Sequence, residues 1–276
     1  MTSTNYQKIL DIALQNLNGT VNCDTQMPGF SERIIEVPWA AQWFAKILQD
    51  QEKPKHLLDI GLTMSSLDWL GLLLELKRAN SIKIQAVDIV QPERVKSRYP
   101  EEWLNDIFNI PISTNDVRLW KPEPEAYDIV SCISTIEHIG FDEASEDDPA
   151  TAFKRGKTIE DVVANRSPNV NADVMSVFER SLKSGGYVLM TTPMGRGGAT
   201  LLKDSLGLYT RQWEYEQDSW DDLVQQPGFK LIEQRFFKFD SDKIWREVAS
   251  PRELSNQSSE LKAHAHGCAL VVLQKK

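Results

Sequence analysis

The spacing of hydrophobic positions changes texture near residue 55. Before it, apolar residues recur at helical intervals. Across residues 39–50, Trp39, Trp43, Phe44, Ile47 and Leu48 fall on one helical face, with Pro38 near its start. Turn-rich breaks at Asn18-Gly19 and Pro28-Gly29 interrupt this stretch. Beyond it, short apolar runs alternate with helical patterns, the signature of βαβ units and a mainly parallel sheet. The runs cover residues 56–60, 82–87, 110–113, 127–133 and 187–192. A helix capped by Ser65 or Ser66 follows the first run, Pro92 opens another after the second, and residues 172–182 form a third that stops at Ser184-Gly185-Gly186. Two late runs, 229–239 and 268–274, predict a hairpin-like pair at one edge. The expected fold class is α/β, with a seven-stranded, mostly parallel sheet and helices on both faces. Residues 1–54 form an N-terminal helical extension or lid, and 55–276 the main domain.

Composition narrows the picture. The chain has 276 residues, 41% of them hydrophobic and 26% charged, enough to bury an ordinary core. Its 31 Lys+Arg against 40 Asp+Glu give a net charge of -9, which argues against a nucleic-acid partner. No apolar run reaches the ~18–20 residues of a membrane span. The N-terminus lacks a basic start, an apolar block and a cleavage site, so a cytoplasmic location is expected. Three dispersed cysteines (Cys23, Cys132 and Cys268) suit neither a disulfide framework nor a zinc site. Neither an internal repeat nor a low-complexity tract interrupts the chain.

In an open parallel sheet, ligands bind beyond the carboxyl ends of the strands, where strand order reverses. The residues that end the runs are therefore the informative ones: Asp59 and Gly61, Asp88, Asp116, Ser134 to His138, and Pro193 to Gly198. Gly61 admits a ligand close to the backbone. A carboxylate at Asp88 can accept both hydrogen bonds of a ribose diol, or can merely cap the next helix. The first loop has one glycine where a pyrophosphate loop has three, with Thr63 and Ser65 at the other positions. A ligand without phosphate suits it better, which counts against a nicotinamide oxidoreductase.

Several blocks carry a recognisable order: Leu57-Leu58-Asp59-Ile60-Gly61, Ala86-Val87-Asp88, Asn115-Asp116-Val117-Arg118, the block from Tyr127 to Glu137-His138-Ile139-Gly140, and Leu182-Lys183-Ser184-Gly185-Gly186. Together they resemble the class I S-adenosylmethionine-dependent methyltransferases across residues 55–275. The most specific pieces are Glu137-His138-Ile139-Gly140 and the Leu182–Gly186 turn; in the first motif Asp59 and Gly61 match, while Thr63 and Ser65 depart from the glycine pattern. The resemblance implies a Rossmann-like sheet and S-adenosyl-L-methionine as cofactor. It places Asp59, Gly61 and Thr63 at the methionine part, Asp88 on the ribose hydroxyls and Ile89 on the adenine face. Asp116, beside the Val117 backbone, takes the adenine amino group, with Asp106 as its competitor. Ser134 and Thr135 line the cofactor floor. Residues 33–39 resemble a segment that closes over the cofactor, where Arg33 pairs with the methionine carboxylate or stays a solvated surface residue.

The implied reaction is in-line methyl transfer to a small-molecule or saccharide acceptor, with a hydroxyl oxygen as the expected nucleophile. His138 is the first base candidate, although it can equally bond the backbone of a neighbouring loop; Glu137 is the alternative base or an orienting group. No metal is expected: His264-x-His266 lacks a matching carboxylate cluster, and Asp240-x-Asp242 is discounted as a chance match. Residues 141–168, with Arg155 and Lys157, and residues 194–226, with Arg196, are expected as acceptor-side insertions or plain connectors. The aromatic stretch 209–215 either shapes the acceptor side or packs in the core. A nucleic-acid methyltransferase would favour a basic face, and a scaffold that kept the fold without turnover is the remaining alternative.

Overall fold

The structure, a computed structural model, describes residues 3–19, 26–29, 31–49, 53–141, 169–203 and 209–276. The helices are α1 (Ser3–Leu17), α2 (Arg33–Ile47), α3 (Leu67–Arg78), α4 (Leu104–Phe108), α5 (Val170–Ser181) and α6 (Gln217–Val224). The strands are β1 (Gln26–Pro28), β2 (Lys55–Ile60), β3 (Ile82–Asp88), β4 (Ile112–Thr114), β5 (Tyr127–Ile133), β6 (Leu182–Pro193), β7 (Gly198–Lys203), β8 (Tyr209–Glu214), β9 (Phe229–Phe239), β10 (Ile244–Val248) and β11 (Gly267–Lys275).

The main sheet runs β1-β10-β9-β11-β6-β5-β2-β3-β4, and β7 and β8 form a separate antiparallel pair. From β4 to β6 every pairing is parallel. β11 is antiparallel to both β6 and β9. The chain moves outward from β2 through β3 to β4, then crosses back to β5 and β6. The order therefore reverses between β2 and β5, and that is where a ligand crevice belongs.

Strand alternation sorts side chains onto two cores. Leu57, Ile129 and Ile133 face the layer of α1, α2 and α3, with Trp39, Phe44 and Trp69. Leu58, Val130 and Cys132 face the layer of α5 and α6, with Phe178, Trp220 and Leu223. Helices thus cover both faces of a Rossmann-like sheet, as the patterning predicts.

Three expectations are corrected. The main sheet has nine strands instead of seven, because β10 folds back on β9 through a turn at Asp240–Lys243 and β1 adds to β10. β11 lies inside the sheet and not at its edge. Its residues from Gly267 to Leu273 are buried, feeding both cores, and a strand apolar on both faces belongs between neighbours. Helix α2 starts at Arg33, a turn and a half before Trp39, and takes Pro38 into its interior. The extension buries Ile34, Ile35 and Val37, and the Nε1 atoms of Trp39 and Trp43 both donate to Glu233 Oε1 on β9 (2.7 and 2.9 Å). That burial outweighs the one helical hydrogen bond that Pro38 cannot make.

Candidate functional site

The tips of β2, β3, β4 and β5 are tied into one rim. Gly61 ends β2 with φ +88°, and its N–H donates to the Val87 carbonyl at 2.9 Å. A Cβ at Gly61 would lie 2.6 Å from the Thr135 side chain, so the loops on either side of the reversal touch there only because residue 61 is glycine. One residue past the start of the following short helix, the Thr63 N–H donates to Asp88 Oδ2 (2.8 Å). Asp88 Oδ1 accepts the Val90 N–H (2.8 Å), and the Asp88 carbonyl accepts from Asn115 beyond β4 (3.0 Å). Asp88 thus caps its own turn and braces two neighbouring loops. Burial raises its pKa against the opposing pull of backbone bonds from Val90, Thr63 and Met64. Ile89, next to it, is 49% exposed.

Asp59 is fully buried under this rim. Its Oδ2 accepts Ser131 Oγ (2.6 Å) and Trp69 Nε1 (3.1 Å), while Oδ1 has no partner. Thr63 Oγ1 is likewise buried without a partner. Asp116 lies in the turn beyond β4, where it accepts the backbone N–H and the guanidinium of Arg118; burial would raise its pKa, but those bonds hold it below the usual range. Val117 beside it is buried. Asp106 is elsewhere: it pairs with Arg78 and Lys77 in the last turn of α3, which leads into the start of β3 and away from the strand tips. Asp116 alone of the two stands with the strand tips.

After β5 the chain turns sharply. Ser134 has φ +47°, its N–H donates to the Thr191 carbonyl and hydroxyl on β6, and its Oγ donates to Glu137 Oε1 (2.8 Å). A serine in the left-handed region is strained, and the bonds to β6 and Glu137 hold it there. Glu137 is buried and its Oε2 has no partner. His138 is half-exposed, its Nδ1–H donating to the Arg211 carbonyl of β8 (2.6 Å). That bond assigns the tautomer with a lone pair on Nε2, which lies 3.8 Å from Glu137 Oε1. The β7–β8 pair therefore roofs the turn after β5. Within it Tyr215, just beyond β8, is core, its hydroxyl donating to Asn171, whereas Trp213 is only partly buried. The loop at Arg196 is strapped down through the Gln257 carbonyl and Glu214. Arg155 and Lys157 lie outside the described residues.

Arg33 sits at the start of α2 over the same edge. Its Nη1 meets Glu36 Oε2 at 2.6 Å, and Glu32, Asp68 and Glu137 also act on it electrostatically. Glu36 Oε1 accepts from Cys268 Sγ at the start of β11 (3.4 Å). In the structure the closest partner of the Arg33 guanidinium is the protein carboxylate of Glu36. Glu32, Glu36 and Asp68 escape sequence reasoning; acids flanking Arg33 within the apolar stretch Ile34-Ile35-Val37 were the available signal.

Burial pushes Asp59 and Glu137 up to about 7, and Glu32 to about 7 against the pull of Arg33. In the folded chain these carboxyls keep their protons up to about pH 7; in the unfolded chain they lose them near pH ~4. Folding therefore takes up protons across that window, and stability falls as pH rises through it, by about 3–4 kcal/mol for one such group acting alone. The melting temperature is expected to be higher at pH 5.5 than at pH 8, with a flatter profile in Glu137→Gln. A melting temperature that climbs steadily from pH 5.5 to 8 would refute this account.

Two other sequence candidates are spent on packing. His264 and His266 stack on one another (5.1 Å between centroids) and against Phe239, and burial lowers both pKa values, that of His266 to about 4. Asp240 and Asp242 both grip Arg246. Among the described residues no group of three or more His, Cys, Asp or Glu could hold a metal ion, and no helix is long and apolar enough to cross a membrane.

No protein-family model and no curated protein matches the chain. Solved structures with a similar fold include an S-adenosylmethionine-dependent methyltransferase from Methanosarcina mazei, with TM-score 0.49, 11% identity, and coverage of 82% of this chain and 94% of that one. Another is the 1,6-didemethyltoxoflavin-N1-methyltransferase of Burkholderia thailandensis with bound S-adenosylhomocysteine (TM-score 0.46, 12% identity, 100% and 91% covered). A third is the cyclase SpnF (0.48, 13%, 97% and 93%). Likeness at this level says nothing of substrate or activity, and the names span different chemistries. What the crevice does has to come from its own residues.

Proposed function

We propose that the crevice between β2 and β5 binds S-adenosyl-L-methionine and that the chain transfers its methyl group to a small-molecule or saccharide acceptor. The observation that carries this reading is the bond from the Thr63 N–H to Asp88. It commits to the protein an amide that a pyrophosphate-binding loop would offer its ligand, and Ser65 Oγ closes the loop further by donating to the Gly61 carbonyl (2.9 Å). Asp88, a carboxylate at the tip of β3, suits a ribose diol. The site therefore fits a nucleoside without a pyrophosphate better than a dinucleotide. The unpartnered Asp59 Oδ1 and Thr63 Oγ1 are further polar atoms suited to the donor's amino-acid part. Asp116 and Val117 are the residues for adenine, and Ile89 for its exposed face.

When bound, this cofactor supplies a sulfonium-activated methyl group, so the protein has mainly to align the acceptor and exclude water. The β7–β8 pair covers the acceptor side. For a hydroxyl acceptor the proton goes to His138 Nε2, which the Arg211 carbonyl orients through Nδ1. Glu137, fixed by Ser134, lies 3.8 Å from the same Nε2 and would stabilise the imidazolium once the proton is taken.

Calorimetric titration with S-adenosylmethionine, S-adenosylhomocysteine and NADH in parallel is the direct test. Saturable binding of the first two and none of the third is expected. Binding of NADH alone would overturn the reading, and binding without turnover on any acceptor would turn it towards a scaffold.

A further inference from the structure

The loop after β2 is held from outside by the segment that follows β3. Its five consecutive carbonyls, from Gly61 to Ser65, all accept hydrogen bonds. Ser65 closes on the first two, its Oγ donating to Gly61 (2.9 Å) and its N–H to Leu62 (3.2 Å). The other three are taken by Tyr99 and Arg98. The Tyr99 hydroxyl donates to the Thr63 carbonyl at 2.8 Å. The Arg98 guanidinium reaches the carbonyls of Thr63, Met64 and Ser65 at 3.4, 3.3 and 3.5 Å. Asp88 Oδ2 accepts the Thr63 N–H at 2.8 Å, so Thr63 is gripped through both its amide and its carbonyl.

The two residues grip in different ways. Tyr99 follows the short helical turn Pro92–Arg98, and its ring is buried in the core shared with α1, α2 and α3. The hydroxyl therefore stands on a fixed base. Burial raises its pKa to about 12 against the pull of Arg98, so it keeps its proton and donates at neutral pH. Arg98 is exposed, and its planar fork spans three carbonyls that the point charge of a lysine could not span. A loop tied in this way is ordered before any ligand arrives, which removes an entropy cost from binding. Carbonyls committed to Tyr99 and Arg98 are also kept from facing an anionic group, which they would repel.

We propose that Tyr99, with Arg98 beside it, is a positioning residue that presets this loop for the amino-acid part of the methyl donor. The proposal rests on the methyl-donor reading and adds two residues that lie at no strand tip. In that reading the amino-acid part meets Gly61 and Thr63, whereas the ribose meets Asp88. Asp88 keeps its bond from the Val90 N–H when Tyr99 is altered. Loss of the clasp should therefore weaken the amino-acid contacts more than the nucleoside contacts.

The test compares S-adenosylhomocysteine with methylthioadenosine, which has the same nucleoside but no amino-acid part. Both are titrated calorimetrically into the full chain and into Tyr99→Phe, which keeps the ring and removes only the hydroxyl. Amide hydrogen exchange across residues 61–66 is followed without ligand. In Tyr99→Phe, S-adenosylhomocysteine is expected to bind about fivefold or more weakly, and methylthioadenosine within about twofold of the parent. The loop amides should exchange about fivefold or more faster. Adding Arg98→Lys, which keeps the charge but loses the fork, should deepen the S-adenosylhomocysteine loss by a further factor of about two or more. Tyr127→Phe is the matched control, because it removes a buried hydroxyl that bonds Gln85 (2.7 Å) at the start of β5, away from the strand tips; both affinities should hold. Unchanged loop exchange, equal weakening of the two ligands, or the same loss in Tyr127→Phe overturns the proposal, and no further loss with Arg98→Lys overturns the share given to Arg98. Failure of the unaltered chain to bind S-adenosylhomocysteine sinks the donor reading and the proposal with it, whereas binding that is indifferent to Tyr99→Phe sinks the proposal alone.

Discussion

Asp88→Ala is expected to weaken S-adenosylhomocysteine binding by about 100-fold or more. Two hydrogen bonds from a ribose diol to a carboxylate contribute about 1.5–3 kcal/mol each, and both vanish with the side chain. The same carboxylate satisfies the N–H groups of Thr63 and Val90, so its removal also loosens the rim that the donor lies against. Asparagine should not rescue. Its single carbonyl oxygen can serve Thr63 or Val90 but not both, and its NH2 turns a donor towards the other. Asp106→Ala is the matched control, because Asp106 binds Arg78 and Lys77 far from the rim. Calorimetry on the three variants decides the matter, and an Asp88→Ala affinity within about threefold of the parent would remove Asp88 from the binding site. A parallel thermal melt separates lost contact from lost fold.

Gly61→Ala carries the second large effect. The added methyl meets Thr135 at 2.6 Å, and the backbone is held at φ +88°. The left-handed conformation costs alanine about 1–2 kcal/mol, and the overlap adds about 1–3 kcal/mol unless the two loops part. A drop of about 2–5 kcal/mol in unfolding free energy is expected from denaturant titration, together with loss of donor binding as the β2 and β5 loops separate. Thr135→Ala in the same chain should restore the overlap part and leave the backbone part, so the two substitutions combine non-additively. A purely additive cycle would mean that the loops do not touch as described.

Much of the architecture was legible in the sequence. Runs such as Leu57-Leu58-Asp59-Ile60 and Tyr127–Ile133 are buried on both faces, and their continuous apolar pattern announces central parallel strands. Strand β1 was not legible, because three residues that pair with β10 carry no periodicity of their own. Nor was β10, whose Ile244-Trp245-Arg246-Glu247-Val248 buries only Trp245 fully. The interior place of β11 was readable in Cys268-Ala269-Leu270-Val271-Val272-Leu273, which has no polar alternation and so cannot be an edge.

At the site, the strand-end rule located Asp88, Asp116 and Ser134, since a residue's place at a tip follows from where its apolar run stops. It could not say that Arg33 turns to Glu36, or that Asp68 and Glu137 lie near it. Those neighbours are brought together by the packing of α2 and α3 against the sheet, across about a hundred residues of chain, and no local pattern encodes that meeting. Spacing already put Asp116 ahead of Asp106, and the two stand apart in the fold: Asp116 lies past the tip of β4, whereas Asp106 pairs with the last turn of α3.

The interior position of β11 has a consequence for how the polypeptide matures. Strand β6 is complete at residue 193 and β9 at residue 239, yet neither has its second partner until residues 267–275 have left the ribosome. Through that interval two long backbone edges stay unpaired, and such edges invite association with other nascent chains. A premature stop between residues 240 and 266 would therefore do more than shorten the protein. It would split the sheet down the middle and leave a fragment prone to aggregate, even though every rim residue from Asp59 to His138 had already been made.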